Sequence, residues 1–392
     1  MSDAVATRAI PSRRSGPDRR SSVAVVMGGP SAEHDVSLVS GRAIAEALGE
    51  RGHDVELWLI DLGGLWWRLP ASAGDRAIPK PAFDRPAELG GQGPLTSAGA
   101  LERLTADDPA PTVFLALHGP FGEDGTVQAL CESAGLVYTG SGVAASAMGM
   151  DKVLFKRLVG GMDMPVVPWQ EVTAESMAAG PDAALSALLA FASGRPDRRL
   201  IIKPARMGSS VGISIVHRPN DPAELEAALR EAFRYDDLAL AEAYLGGARE
   251  LEVSVLGNGD PGLEIFGPGE VFPGREFYDY RAKYQVGLSR TTERPELDPA
   301  IRARARELAR ACHLAIGATG FSRVDFLLHG GRIYLSEINT IPGFTPISLF
   351  PVLCAEGGYS FAETCERILE LAHERATRRP SGRLTPDQLP RD

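Results

Sequence analysis

The feature that most constrains the fold is a strand–glycine–helix unit near the start of the chain. β-Branched residues are concentrated at 23–26, a glycine pair follows at 28–29, and apolar residues recur at helical spacing over 36–48. A strand that turns through glycine into an amphipathic helix is typical of a parallel α/β sheet. We therefore predict a Rossmann-like domain over residues 23–146. Its further expected elements are strands at 55–60 and 113–117 and a helix at 126–134.

Residues 62–111 separate two of these strands and are rich in Gly, Pro and Ala, with Trp66 and Trp67 among them. Long connections without a clear periodic pattern usually run over a domain surface. We expect surface excursions from the first domain here, with no core of their own.

The pattern changes after Met150. A glycine-rich loop at 208–212 lies between two short β-type runs, which predicts a hairpin. We place a second domain over 147–240 and a third over 241–376. The expected strands are 200–202, 213–216, 238–243 (opening the third region), 251–257, 263–266, 269–272, 322–328 and 332–338, and the expected helices are 152–158, 222–233, 298–316 and 360–376.

Length and charge exclude several classes of protein. The chain has 392 residues, 44% of them hydrophobic, and a net charge of -10, so two or three soluble domains are expected. An Arg-rich segment over 1–22 and the residues 377–392 read as disordered tails. The residues that follow the basic segment have a net negative charge, which argues against general nucleic-acid binding. No apolar run is long enough to span a membrane.

The four cysteines, Cys131, Cys312, Cys354 and Cys365, form no C-x-x-C pair. This spacing is typical of buried, reduced thiols, and we predict a cytoplasmic protein.

The loop at 208–212 reads Gly-Ser-Ser-Val-Gly and is preceded by Lys203. Glycines that admit backbone N–H groups, hydroxyl donors and a lysine are suited to a phosphate. The same letters satisfy G-x-S-x-G with Ser210 as a nucleophile, but that motif requires a helix after the loop and a β-type run follows instead. A glycine turn without a ligand is the third interpretation.

Arg323 and Asp325 alternate along one predicted strand, and Glu337 and Asn339 alternate along the next. If the two strands pair, their oxygen-bearing side chains share one face beside an arginine. Such a face is suited to Mg²⁺ carrying a nucleoside triphosphate. A solvated polar face is the alternative.

Seven fragments occur together in an order that resembles the D-alanine–D-alanine ligase family of ATP-grasp carboxylate–amine ligases. The resemblance covers residues 23 to about 376 and implies a three-domain ATP-grasp fold, α/β with an α+β C-terminal part. The fragments are Gly28-Gly-Pro-Ser-Ala-Glu-His-Asp-Val-Ser37, His118-Gly-Pro-Phe-Gly-Glu-Asp-Gly125, Met150-Asp-Lys152, Lys203-Pro204 with the 208–212 loop, Phe277-Tyr-Asp-Tyr-Arg-Ala-Lys-Tyr284, Gly320-Phe-Ser-Arg-Val-Asp325 and Glu337-Ile-Asn-Thr-Ile-Pro-Gly-Phe-Thr345.

The resemblance implies an ATP site and a metal site. Lys152 and Lys203 would hold the ATP phosphates, and two Mg²⁺ ions, or Mn²⁺ in their place, would neutralise the transferring phosphoryl group. Glu242 would contact the adenine and Glu250 the ribose. The other implied residues are Ser209, Ser210, Leu245 and Phe277 at the nucleotide and Asp325, Glu337 and Asn339 at the metal ions.

The resemblance also implies the two D-alanine sites. Glu33 would hold the ammonium of the first D-alanine beside His118. Arg323 and the backbone N–H of Gly343 would steady the acyl phosphate. Lys283 and Ser348, with Leu349 nearby, would receive the second substrate. A triad of Glu33, Ser209 and Tyr284 would tie down a closing loop at 274–290.

The expected product is D-Ala-D-Ala for peptidoglycan precursors, made in the cytoplasm by a homodimer. A ligase that accepts D-lactate, D-serine or another acceptor is the main alternative, although Tyr284 favours an amine because the resembled D-lactate ligases have histidine there. An NAD-dependent oxidoreductase lacks its G-x-G-x-x-G motif here. A nucleotide-binding module without catalysis remains the third alternative.

Overall fold

The structure is a computed structural model and describes residues 20–195, 197–273 and 289–378. Its first sheet has five strands in the order β4-β3-β2-β1-β5, in which β1 pairs in parallel with both β2 and β5. The predicted parallel strands are therefore confirmed. The strands are β1 (Ser22–Gly28), β2 (Asp54–Ile60), β3 (Trp66–Leu69), β4 (Gln92–Leu95) and β5 (Thr112–Leu115).

The prediction that 62–111 forms surface excursions is wrong, although the segment has no separate core, as expected. This segment adds β3 and β4 to the first sheet as antiparallel strands. Trp66 and Phe83 are fully buried in the same hydrophobic core as the parallel strands. Short strands among glycines and prolines carry little periodic signal, so their pairing was not visible in the sequence.

Four helices surround or follow the first sheet. The buried side of α1 packs on β1, and its Ser37 hydroxyl bridges two chain segments by accepting from the Gly28 N–H and donating to the Ala116 carbonyl, both at 2.7 Å. This bridge fixes the end of β1 where the first glycine turn begins. The helices are α1 (His34–Glu50), α2 (Ser97–Leu104), α3 (Thr126–Ser133) and α4 (Val143–Met150).

The second sheet is antiparallel, with strand order β6-β9-β7-β8. The predicted hairpin is confirmed, since β7 pairs with β8 around the loop at 208–212. The strand at 238–243 was predicted to open the third region, but it lies between β6 and β7 instead. The elements are β6 (Trp169–Thr173), β7 (Leu200–Pro204), β8 (Ser214–Val216), β9 (Leu238–Ala243), α5 (Lys152–Gly161), α6 (Ala174–Ala179), α7 (Pro181–Ser193) and α8 (Pro222–Ala232).

The third sheet has the order β12-β11-β10-β13-β14 and is antiparallel. The strands expected at 263–266 and 269–272 form one continuous strand, β11, whose pairing with β10 shifts register at an irregularity. The strands are β10 (Arg249–Leu256), β11 (Glu264–Pro273), β12 (Ser289–Thr292), β13 (Phe321–His329) and β14 (Arg332–Asn339).

Three helices complete the described chain: α9 (Pro299–Ala315), α10 (Leu349–Glu356) and α11 (Phe361–Arg378). The Asp298 side chain caps α9 by accepting from the Ala300 N–H at 2.7 Å. The last helix returns to the first sheet, where Glu366 pairs with Arg51 beside α1. In the described parts of the chain, no helix is both long and apolar enough to cross a membrane.

Candidate active site

One cleft, which we call the central cleft, has a volume of about 820 Å³ and is lined by strands of the second and third sheets, by α1 and by the segment that follows β5. Every predicted site residue that the structure describes lies on its wall. Phe277, Lys283 and Tyr284 are outside the described residues. The lining candidates are Glu33, His118, Lys152, Lys203, Ser209, Ser210, Glu242, Leu245, Glu250, Arg323, Asp325, Glu337, Asn339, Gly343, Ser348 and Leu349.

The glycine-rich loop at 208–212 connects β7 to β8. Because it leads into a strand and not a helix, it lacks the strand–turn–helix context of a hydrolase nucleophile elbow. Ser209 and Ser210 have φ of 49° and 60°, a left-handed conformation that non-glycine residues adopt at a cost. This backbone strain falls on the two serines whose hydroxyls the loop presents to the cleft.

Glu33 stands at the N-terminus of α1, and its side chain makes no capping hydrogen bond there. Two glycines from different segments approach its carboxylate closely. A Cβ added at Gly119 or at Gly208 would lie 2.8 Å from Glu33 Oε2. The absence of a side chain at both positions therefore lets the 118–125 segment and the glycine-rich loop converge on this carboxylate.

Lys152 begins α5 and points into the central cleft. The Asp151 side chain caps the helix by accepting from the N–H groups of Val153 and Leu154 at 3.0 and 2.9 Å. The Lys152 ammonium donates to the Met207 carbonyl at 2.7 Å and lies 3.7 Å from Glu337 Oε2. A helix start thus places this cation between the glycine-rich loop and the β13–β14 hairpin.

Glu242 is buried between two lysines. Lys203 Nζ lies 2.7 Å from its Oε2, and Lys156 Nζ lies 2.6 Å from its Oε1. Burial alone would raise the pKa of the Glu242 carboxyl, but the two ammonium groups outweigh it and lower this pKa to about 2. Lys156 was not among the predicted site residues, although its spacing of four residues from Lys152 puts both on one helix face.

The β13–β14 hairpin pairs as predicted, with Arg323 opposite Asn339 and Asp325 opposite Glu337. The Arg323 guanidinium donates to both oxygens of Asp325 at 2.7 Å, and Asn339 Nδ2 donates to Asp325 Oδ2 at 3.0 Å. Arg323 Nε also lies 3.2 Å from Glu252 Oε2. Glu252, which sequence analysis missed, alternates with Glu250 along β10.

The charges around Arg323 keep it ionised. Burial would lower the pKa of its guanidinium, but the carboxylates of Asp325 and Glu252 raise this pKa well above its ordinary value. No group of three His, Cys, Asp or Glu side chains is arranged as metal ligands within the described ranges. The predicted set combines two carboxylates with the Asn339 amide, and such all-oxygen donors fit a hard divalent cation.

His118 is buried, and both of its ring nitrogens are engaged inside the protein. Nδ1 lies 3.1 Å from the Ile341 carbonyl, which can only accept, so Nδ1 carries the proton. Nε2 lies 3.0 Å from Ser40 Oγ. Burial lowers the pKa of His118, although the nearby Glu33 opposes this effect. His118 is therefore a neutral imidazole at pH 7 that joins α1 to the 340–345 segment.

Glu123 also lines the cleft, and sequence analysis gave it no role despite its place in a quoted fragment. Its Oε2 accepts from the Gly119 N–H at 2.7 Å, and its Oε1 accepts from the Ile341 N–H at 3.3 Å. Burial and the Glu33 carboxylate raise the pKa of Glu123 to about 8. The Ile341 N–H that binds Glu123 lies on a distant chain segment, so this contact is visible only in the folded structure.

Ser348 precedes α10, whose first residue is Leu349. The Ser348 hydroxyl accepts from the Thr345 N–H at 3.0 Å, and the hydroxyls of Ser348 and Thr345 lie 2.8 Å apart. A Cβ built on Gly343 would be 3.5 Å from Ser348 Oγ. The Gly343 backbone and the N-terminus of α10 are thus neighbours, and helix N-termini favour anions.

The 62–111 segment reaches the same cleft. Lys80 lies on the cleft wall, with its Nζ 3.3 Å from Asp35 Oδ2 in the first fragment. None of the site residues predicted from the sequence lies in this segment. The contact depends on the packing of 80–84 beside α1, which no local pattern encodes.

Two family models match the chain. The one described as "D-ala D-ala ligase N-terminus" matches residues 22–141, and the one described as "D-ala D-ala ligase C-terminus" matches residues 158–370. Together the two matches cover most of the chain.

Relatives match over nearly their full lengths. A protein of Heliobacterium modesticaldum named D-alanine–D-alanine ligase is 37% identical over 386 residues, covering 95% of this chain and 99% of the relative. One of Chlorobaculum tepidum with the same name is 37% identical over 370 residues, covering 91% and 98%.

Solved structures share the fold. The D-alanine–D-alanine ligase from Coxiella burnetii aligns with a TM-score of 0.73 at 27% identity, covering 91% of this chain and 95% of that one. The VanG D-Ala:D-Ser ligase from Enterococcus faecalis also aligns with a TM-score of 0.73, at 29% identity, covering 90% and 100%. The predicted α/β ATP-grasp fold class is confirmed. By sequence and by fold, the chain belongs to the D-alanine–D-alanine ligase family.

Proposed function

We propose that this chain makes D-Ala-D-Ala from ATP and two molecules of D-alanine. The γ-phosphoryl group of ATP passes to the carboxylate of the first D-alanine, giving D-alanyl phosphate and ADP. The amine of the second D-alanine then attacks the carbonyl carbon, a C–N bond forms, and phosphate leaves. The observation that carries the proposal is the convergence of the described candidate residues on one cleft in a chain of this family.

At the nucleotide, Lys152 and Lys203 would bind the phosphates with their ammonium groups, and the hydroxyls of Ser209 and Ser210 would donate to phosphate oxygens. Glu242 would accept from the adenine. These roles suit cations and donors that are already directed into the cleft, because positioning and charge supply most of phosphoryl-transfer catalysis. The remaining proposed nucleotide contacts are Glu250 through the ribose, Leu245 and Phe277.

Asp325, Glu337 and Asn339 would hold two Mg²⁺ ions, or Mn²⁺ in their place. When bound, these ions would neutralise negative charge on the transferring phosphoryl group. The chain's own contribution is to present three oxygen donors on one face of the hairpin. Arg323, which donates to Asp325 in this structure, adds a positive charge beside them.

At the first D-alanine, Glu33 would bind the ammonium group, and Arg323 would bind the oxygens of the activated carboxylate. The backbone N–H of Gly343 would donate to the oxyanion that forms when the amine attacks. His118 would act as a neutral neighbour of the substrate, since both ring nitrogens are engaged.

At the second D-alanine, Ser348 at the start of α10 would receive the carboxylate with Lys283, beside Leu349. The helix N-terminus favours that negative charge. We propose that Tyr284 completes a triad with Glu33 and Ser209 and that the 274–290 loop closes over the substrates and excludes water.

We also propose three domains that follow the three sheets, with boundaries near 146 and 240. The second boundary is placed after the end of β9, so that this strand stays with its sheet. The proposed setting is the cytoplasm, with small-molecule substrates only, as a homodimer. The product would enter peptidoglycan precursor synthesis and so serve cell-wall biogenesis.

The test is ATP-dependent phosphate release with Mg²⁺ and D-alanine as the sole amino acid, with the product identified by mass. We expect D-Ala-D-Ala, and its loss in Glu33→Gln and Asp325→Asn. Asp182→Asn, on the exposed surface of α7, is the matched control and should keep full activity. Phosphate release without dipeptide would contradict the proposal.

A ligase with another second substrate is the alternative, because the structure of a D-Ala:D-Ser ligase aligns as well as that of a D-alanine–D-alanine ligase. The same assay with D-serine or D-lactate added to D-alanine separates the two functions. A mixed product formed in preference to D-Ala-D-Ala would favour the alternative.

A further inference from the structure

Lys156 is a buried charged residue that has no part in the proposed reaction. Its side chain has no exposed surface, and its ammonium lies 2.6 Å from one oxygen of Glu242. The other oxygen of Glu242 lies 2.7 Å from Lys203. A single buried carboxylate is thus held between two cations, one fully enclosed and the other on the wall of the central cleft.

Three elements create this arrangement. Lys156 lies on α5, one turn after Lys152, while Lys203 and Glu242 lie on the neighbouring strands β7 and β9. The Glu242 side chain is 5% exposed, so water compensates little of its charge. A buried carboxylate that lost all its cationic partners would be strongly destabilised.

The two lysines differ in what they can reach. Lys203 has a 10% exposed side chain on the cleft wall, where the proposed function has it bind the ATP phosphates. A move toward the phosphates would take its charge away from Glu242. Lys156 is enclosed and stays with the carboxylate. Two cations on one carboxylate are therefore more than the ligand-free protein needs, and one is available for exchange.

We infer that Lys156 is a positioning residue that compensates Glu242 and so allows Lys203 to exchange this carboxylate for the triphosphate of ATP. The inference rests on the proposed nucleotide site. Without Lys156, Lys203 would be retained by Glu242, and binding of ATP would have to leave a buried carboxylate without a cation.

The electrostatics of the Lys156, Glu242 and Lys203 side chains agree with this inference. Burial lowers the pKa of Lys156, while attraction to Glu242 opposes this effect and repulsion by Lys203 adds to it. The negative charge of Glu337 also favours the charged form of Lys156. If the charge of Lys203 moved away from this cluster, the ion pair between Lys156 and Glu242 would therefore become stronger.

The experiment is a double-mutant cycle of Lys156→Met and Glu242→Gln, with the Kd for ATP measured by calorimetry and the KM values for ATP and D-alanine measured by turnover. In the native background, we expect Lys156→Met to weaken ATP binding about tenfold or more. The KM for D-alanine should change less than about twofold. In the Glu242→Gln background, the same substitution should change ATP binding less than about threefold, because no carboxylate charge is left to compensate.

Arg157→Met is the matched control. Arg157 is the next residue of α5 and pairs with Glu171 on the surface, so its loss should not change ATP binding. An equal loss of ATP affinity from Lys156→Met in both backgrounds would indicate a merely structural lysine and overturn the inference. Unchanged ATP affinity in the native background would overturn it as well.

If Lys156→Met alone does not fold, the double variant is compared with Glu242→Gln, since it removes both buried charges together. Equal ATP affinity supports the inference, and a tenfold weaker double variant overturns it. The expected binding pattern without any dipeptide product would support the inference while contradicting the proposed substrates. Native protein that binds no ATP would overturn both.

Discussion

Glu123 and Ile341, more than two hundred residues apart, are joined by a hydrogen bond of 3.3 Å from the Ile341 N–H to Glu123 Oε1. The carbonyl of the same Ile341 accepts from His118 at 3.1 Å. Both backbone polar groups of Ile341, its N–H and its carbonyl, are therefore bound by side chains of the 118–125 segment. Gly343, the proposed oxyanion donor, follows two residues later, so this pair of bonds locates the backbone on which the proposed chemistry depends.

The raised pKa of Glu123 predicts a dependence of stability on pH. Between about pH 4.5 and about pH 8, the Glu123 carboxyl keeps its proton in the folded state but has lost it in the unfolded chain. The free energy of unfolding should therefore fall as the pH rises through this interval, by about 1 kcal/mol per pH unit. Glu123→Gln should remove this contribution. Urea denaturation at four pH values between 5 and 8 measures it.

The control for this series is Glu102→Gln on the exposed side of α2. That variant should follow the native pH dependence. Parallel curves for Glu123→Gln and the native protein would contradict the assignment of a retained proton to Glu123.

Gly208→Ala should reduce activity with little change in stability. The new Cβ would meet Glu33 Oε2 at 2.8 Å, and the end of a flexible side chain can move aside. The backbone of Gly208 is not left-handed, so alanine adds no strain there. Displacement of Glu33 by a few tenths of an ångström or more should cost on the order of tenfold in kcat/KM for the first D-alanine.

Steady-state kinetics and thermal unfolding of Gly208→Ala measure the two effects separately. Gly49→Ala in α1 is the matched substitution, because a Cβ there meets no atom within 4 Å. Full activity of Gly208→Ala would show that Glu33 does not need its present position.

Asp325→Asn should abolish the stabilisation that Mg²⁺ and ATP give together. Ligands at about a hundred times their Kd stabilise a folded protein by about 2.7 kcal/mol, and removal of the metal by chelation should reverse this. Because Asp325 also binds Arg323, the native protein and the variant are compared by the ligand-induced shift and not by absolute Tm. A full shift in the variant would remove Asp325 from the metal site.

Trp66→Ala should destabilise the protein by about 3–5 kcal/mol, because the side chain is fully buried in the core of the first sheet. The neighbouring Trp67 is half-buried and donates to Asp61 at 2.9 Å. Trp67→Ala should cost clearly less. Equal losses in denaturant unfolding would contradict the assignment of Trp66 to the core.

Much of the secondary structure was predictable because it depends on local pattern. The 23–28 strand, the helix that Asp298 caps and the β13–β14 hairpin carry strong periodic or capping signals. The 62–111 segment did not, since its strands have four residues each and gain stability from the sheet they join. Likewise, nothing local indicates that 238–243 pairs with β6 and β7.

The sequence by itself determined the family and the residue types of the site, because the residue types and spacing in fragments such as 203–212 and 320–325 already indicate their chemistry. Only the tertiary structure decided which charges meet. Lys156 with Glu242, and Glu123 with Ile341, are distant in the chain and lie on different elements. Hydrogen bonds and ion pairs act over a few ångströms, so a contact between distant segments depends on how the sheets and helices pack together.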